Sequence, residues 1–254
     1  MSSASIIRDL GDHEYTDAVI FNVCFVPDPN ASGVPEYQTR LIEISTRLAK
    51  GKARADISAD YLLAAAAPPD STTLSLIHAS LAQVIIPDPK NTWSDFADVI
   101  APYIGRTQDF TIKGLTVWTG SPFDRLEQVS GGKHSRLAPG LIHRVVEAPI
   151  QPNRQLLALQ KEIHSAITTI GDGSLRCLTP AGDDYTPHHT TYVERVPKTD
   201  ASADHPALAW NMATQKQTVR HVLAFADCGP SGQVRRFETD PVKARELMRD
   251  LARA

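Results

Sequence analysis

Apolar positions along this chain switch repeatedly between two periods. Residues 18–26, AVIFNVCFV, form an almost continuous run rich in Val, Ile and Phe. That composition over a short span predicts a buried strand, and Pro27 and Pro29 stop it. In residues 36–50, Leu41, Ile44 and Leu48 recur at helical spacing, and Gly51 closes the predicted helix. Residues 74–86 return to a strand pattern ended by Pro87 and Pro89, although HASLAQV alone fits a helix. Residues 93–104 read as a helix that Pro102 perturbs in its last turn. Residues 109–118 alternate as one strand should. A Gly-, Ser- and Pro-rich loop covers 120–140. The pattern then restarts: a strand over 141–148, an amphipathic helix over 153–169 with Asn153 as N-cap, and a β-branched run over 187–196. A short helix over 204–214, a strand over 219–226 and a C-terminal helix complete it. Residues 52–73 fit no element cleanly, beyond a short helix over 61–67.

The order strand, helix, histidine-bearing strand, helix, strand thus occurs twice, over 18–118 and 141–226. From His78 to Phe110 the interval is 32 residues, and from His188 to Val219 it is 31. Such internal repetition predicts two copies of one α+β half. The expectation is one domain over 1–254, built of two pseudo-symmetric lobes (about 16–120 and 141–230) that share a cleft, with the last helix appended.

Composition adds exclusions. Hydrophobic residues make up 42% and charged residues 22%, ordinary globular usage that speaks against disorder. A net charge of −3 speaks against a general nucleic-acid binder, but a few local donors suffice for one phosphate. Three cysteines without a CxxC pair fit reduced thiols. With no signal-like leader and no apolar run of about 20 residues, a cytoplasmic, membrane-free monomer is expected.

Two short motifs occupy matching places in the repeat: Ile77-His78-Ala79-Ser80-Leu81 and Pro187-His188-His189-Thr190-Thr191. Each is His, any residue, then a hydroxyl residue. Side chains two apart on a strand share a face, so His78 points with Ser80 and His188 with Thr190. Two such strands bring two imidazoles and two hydroxyls into one cleft. One neutral His removes a proton from water and the other, protonated, donates one to a leaving oxygen; an ordinary imidazole pKa of about 6.5 supplies both forms. The hydroxyls hydrogen-bond non-bridging phosphate oxygens. In the second motif His189-Thr191 satisfies the same pattern, so two registers are open. His188 is chosen because it follows Pro187 and lies three residues after Tyr185.

Paired HxS/T strands in a duplicated α+β chain resemble the two-histidine (2H) phosphoesterases, which include the RNA 2′,3′-cyclic phosphodiesterases and the 2′–5′ RNA ligase-like proteins. Tyr185-Thr186-Pro187-His188-His189-Thr190 is similar to that family's aromatic-x-Pro-His-x-Thr. The run from Phe110 to Leu115, FTIKGL, resembles its strand leading into Gly-Leu. The resemblance spans about 18–226. It implies two antiparallel-rich sheets flanking a central cleft, with helices outside. It also implies hydrolysis of a cyclic phosphodiester, on a 2′,3′-cyclic nucleotide or an RNA end, without metal or cofactor. His78 and His188 would be the acid and base, and Ser80 and Thr190 the phosphate binders. The chain departs from the family in an insertion at 52–73 and in polar residues at 189 and 191, where the family is apolar.

Other features weigh less. His13, His134, His143, His164, His205 and His221 read as solvated or satisfied side chains, with His164 on the polar side of its helix. His188-His189 with Asp183-Asp184 lacks HExxH or HxH spacing, which leaves a metal-dependent hydrolase as a minor alternative. Gly131-Gly132-Lys133 lacks the frame of a phosphate loop. Tyr192, Trp118 and Phe123 are candidate base-stacking side chains, with core packing the commoner role. A binding module of the same fold without turnover is the remaining alternative; intact motifs favour the enzyme.

Overall fold

The computed structural model describes residues 19–49, 77–86, 89–120, 140–170, 175–200, 217–229 and 236–251. Within them the chain is α+β, with four α-helices and two antiparallel sheets that do not close into a barrel. The strands are β1 (Val19–Pro27), β2 (Ala79–Ile86), β3 (Thr107–Ile112), β4 (Thr116–Gly120), β5 (Leu141–Pro149), β6 (Arg176–Cys177), β7 (His188–Pro197), β8 (Gln217–Gly229) and β9 (Arg236–Glu238). The helices are α1 (Val34–Ala49), α2 (Pro89–Ile100), α3 (Arg154–Thr168) and α4 (Pro241–Leu251).

The larger sheet runs β3-β8-β1-β2-β6, with β9 also on β8; the smaller runs β4-β5-β7. Both draw on both halves of the chain. β1 is flanked by β2 and by β8 from the second half, and β5 is flanked by β7 and by β4 from the first. Where β3 meets β8, Phe110 stands directly opposite Val219.

The apolar alternation of β1 decides where the core lies. Phe21, Val23 and Phe25 point to one face and are essentially inaccessible, joined there by Phe110, Leu223 and Phe225. Phe21 packs on Phe96 of α2 with ring centroids 4.2 Å apart, and Phe25 meets Phe110 edge-on at 4.8 Å. Each such ring contributes roughly 2–3 kcal/mol of burial. The opposite face of the sheet is floored by small or slender side chains, Cys24, Val26, Val222, Ala224 and Ala226. The predicted helical stripe of α1 is buried at Leu41, Ile44 and Leu48, with Val34 and Tyr37 extending it one turn earlier. Asn153 caps α3 by accepting from the Leu156 amide at 2.8 Å.

Several elements differ from the sequence reading. The strand expected over 109–118 is two strands in different sheets. Gly114 breaks it with φ +52°, a left-handed conformation that glycine adopts freely. The helix expected over 93–104 starts at Pro89 and stops at Ile100, and Pro102 sits in a 3₁₀ turn, Ala101–Tyr103, that needs no amide from it. β6 and β9 are too short to carry a readable period. The expected helices over 61–67 and 204–214 and the loop over 121–139 lie outside the described residues.

Candidate active site

Both histidine motifs are built the same way. In β2, Phe25 of β1 stands opposite Ala79 and Cys24 opposite Ser80, but Val23 is opposite Ala82, so Leu81 is an extra, bulged residue. In β7, Ala148 of β5 stands opposite His189 and Glu147 opposite Thr190, but Val146 is opposite Tyr192, so Thr191 is bulged. Each bulge follows its motif hydroxyl immediately. His78 and Ser80 are half-exposed while Ala79 and Leu81 are buried; His188 and Thr190 are half-exposed while His189 and Thr191 are fully buried. Of the two open registers, only His188 with Thr190 reaches solvent.

Each motif is held by neighbours. The Asn22 carboxamide donates from Nδ2 to Ser80 Oγ at 2.7 Å, and the Tyr185 hydroxyl donates to the Ser80 carbonyl at 3.0 Å. With Oγ accepting from Asn22, the Ser80 proton is free to point elsewhere. Asn22 is 2% exposed, and its Oδ1 has no partner among the described residues. His188 donates from Nδ1 to the Thr186 carbonyl at 2.8 Å. That bond orients the ring and leaves Nε2 as the nitrogen that exchanges protons. Nε2 faces Glu147 Oε2 at 3.6 Å. The same carboxylate oxygen accepts the Trp118 indole N–H at 2.8 Å.

The buried ring between His188 and Thr190 has a fixed proton order. His221 Nδ1 lies 2.8 Å from the Val219 carbonyl, so this nitrogen must donate. In the neutral ring His221 Nε2 is then an acceptor, and it faces His189 Nε2 at 3.1 Å, so His189 donates there. His189 Nδ1 consequently accepts the Tyr37 hydroxyl at 2.6 Å. The two imidazoles stack with centroids 5.0 Å apart. Burial holds His221 down at about 4. Burial also lowers His189, and positive charge on His221, His78 or His188 lowers it further. One buried ring therefore feels both candidate catalytic histidines, which puts β2's motif and β7's within electrostatic reach of each other.

No protein-family model and no curated protein sequence matches the chain.

The remaining candidates resolve individually. Tyr192 is fully buried, with its hydroxyl donating toward Glu194 at 3.4 Å and the Leu48 carbonyl at 3.5 Å, so it stacks no base. Trp118 is half-exposed on the face that carries His188 and Thr190. His164 does not sit on a purely polar face: it is half-buried, 3.3 Å from both the Leu81 carbonyl and Cys177 Sγ. Burial pushes the Cys177 and Cys24 thiols up to about 12, which removes them as nucleophiles at neutral pH. Cys24, Cys177 and Cys228 are free thiols. His143 is buried in β5. His13, Phe123, Gly131 to His134 and His205 lie outside the described residues. Among the described residues, no group of three or more His, Cys, Asp or Glu side chains is arranged to hold a metal, and no helix is long and apolar enough to cross a membrane.

Sequence reasoning missed Asn22, Tyr37 and Glu147, and it named His221 only as a satisfied strand histidine. Asn22 carried a signal, being the one amide inside the apolar run AVIFNVCFV. A polar group buried in a strand needs a partner, and the partner is the motif serine. Glu147 and Tyr37 become visible only once β5 and α1 are placed against β7.

Proposed function

We propose that this chain hydrolyses a cyclic phosphodiester, such as a 2′,3′-cyclic nucleotide or an RNA end carrying that group, with His78 and His188 as general acid and base. The observation that carries the reading is the matched construction of the two motifs. Each has a half-exposed His and hydroxyl, a buried residue between them and a bulge directly after, on a strand paired to the first strand of its half. A duplicated, bilobal 2H arrangement is part of the same proposal. It is supported by the equivalent flanking of β1 and β5 and by the pairing of Phe110 with Val219, the two residues at matching intervals from the histidines.

In this mechanism one neutral imidazole takes a proton from water as the water oxygen bonds to phosphorus. The bond from phosphorus to one ring oxygen breaks, and the other imidazole, entering protonated, gives its proton to that oxygen. The product is a monoester with one free hydroxyl, and the two histidines have exchanged protonation states. Ser80 and Thr190 donate to the non-bridging oxygens, whose charge builds in the transition state. The Thr186 carbonyl keeps His188 Nε2 presented throughout.

The test is a panel of 2′,3′-cyclic mononucleotides and a short RNA ending in a cyclic phosphate, incubated with the protein in chelator, with products separated by phosphate position. Ring opening that is lost in His78→Ala and in His188→Ala is expected. Binding without turnover in the unmutated chain would instead assign a nucleotide- or RNA-binding module.

A further inference from the structure

One charged group beside the candidate site has no place in that mechanism. Glu147 stands cross-strand from Thr190 on the face that also carries His188. Its side chain is 14% exposed, so it is not a freely solvated surface acid. Oε2 accepts the Trp118 indole N–H at 2.8 Å and lies 3.6 Å from His188 Nε2; Oε1 is 3.5 Å from the Thr116 hydroxyl. These contacts hold the carboxylate at the site. Cross-strand neighbours have Cβ atoms about 5 Å apart, so a phosphate bound by Thr190 lies roughly 6–8 Å from this negative charge. On the same face of β7 the cation Arg195 stands opposite His143, roughly 15 Å along the strand from Thr190.

A carboxylate so close to a phosphate-binding hydroxyl is unfavourable for anions in general, but not equally for all of them. A cyclic diester carries one negative charge. The monoester formed on ring opening carries nearly two at neutral pH. We propose that Glu147 is a specificity-determining residue that makes this site reject doubly charged phosphomonoesters, so that it retains the diester and expels its own product. The inference rests on the cyclic phosphodiesterase reading and adds the charge class of the ligand. One extra elementary charge at that distance, between the screening of water and that of a protein surface, corresponds to about tenfold in affinity.

The probes are adenosine 2′,3′-cyclic phosphate and adenosine 3′-monophosphate, with binding measured by calorimetry at neutral pH. His78→Ala is the background, so that the cyclic ester stays intact. Glu147→Gln keeps an acceptor for the Trp118 N–H and removes the charge. The ratio of monoester to diester Kd should fall about tenfold on this change. Glu147→Asp keeps the charge and should hold the ratio within about threefold of its starting value. If both probes bind but Glu147→Gln leaves the ratio unchanged, the charge-selection role is wrong while the site assignment stands. If neither probe binds the starting protein, the site assignment itself falls and this inference with it.

Discussion

Acidification from pH 8 to pH 5 should cost this fold about 4 kcal/mol through His189 and His221 alone. Both rings are inaccessible, and their hydrogen bonds to Tyr37, to each other and to the Val219 carbonyl are complete with both neutral. Burial, listed first among the causes, lowers both below the ordinary imidazole range, His221 to about 4 and His189 further; positive charge on His221, His78 and His188 adds to the effect on His189, while Asp109 works the other way on His221. In the unfolded chain each titrates near 6.5. As pH falls through 6.5 the unfolded chain takes up protons that the folded chain refuses. Stability is therefore full above 6.5 and drains away toward the folded values. At pH 5, about 1.5 units below the unfolded pKa, the loss is about 2 kcal/mol per ring at 1.36 kcal/mol per unit. Against a typical total of about 5–15 kcal/mol this is large. The assay is urea unfolding at pH 8, 6.5 and 5, for the natural chain and for Tyr37→Phe/His189→Leu/His221→Phe, which replaces the three side chains with apolar ones of similar shape. His164, also lowered by burial, titrates in both proteins and cancels in the difference. The natural chain should lose about 4 kcal/mol more than the variant between pH 8 and pH 5. Parallel pH profiles would refute the reasoning, because they would mean that the rings accept protons in the folded state as readily as in the unfolded one.

Three further outcomes follow from the site. His78→Ala and His188→Ala should each lower turnover of a cyclic phosphodiester by about 10²–10⁴-fold in steady-state assays. The double variant should be only slightly worse, whereas His189→Ala should chiefly lower the urea midpoint. Ser80→Ala and Thr190→Val should each cost roughly 1–3 kcal/mol in kcat/KM, as for losing one hydrogen bond to a charged group, with circular dichroism unchanged. Turnover should survive chelation and follow a bell-shaped pH profile whose limbs belong to the coupled histidine pair; loss on chelation with recovery on added zinc or manganese would overturn the acid–base reading.

Much of the fold was legible because burial imposes period. β1, β5 and α3 lie within a residue or two of where alternation, β-branching and the Asn153 cap put them, and α1 was placed by Leu41, Ile44 and Leu48. The breaks were less legible. Ile112 and Thr116 read as one strand because alternation continues across Gly114, and only the change of sheet partner, from β8 to β5, reveals two. The exchange of β8 and β4 between sheets was not visible at all, because sequence period reports which face is buried and not which neighbour buries it.

The site shows the same boundary more sharply, and at a single residue. Counting by twos from His188 puts Thr190 and Tyr192 on one face, and this is why Tyr192 looked available to stack a base. The extra residue Thr191 breaks that count: beyond it the side-chain directions exchange, and Tyr192 turns into the core. In β2 the same step at Leu81 turns Ala82 inward after Ser80. Each motif strand thus offers the cleft one His and one hydroxyl, and then withdraws. A regular strand would set the residue at 192 beside Thr190 and crowd whatever that hydroxyl binds. Nothing in the residue types at 81 or 191 announces this, since leucine and threonine are ordinary strand residues. The bulges are properties of pairing, and pairing places the two outward triplets in equivalent settings on strands from opposite halves of the chain.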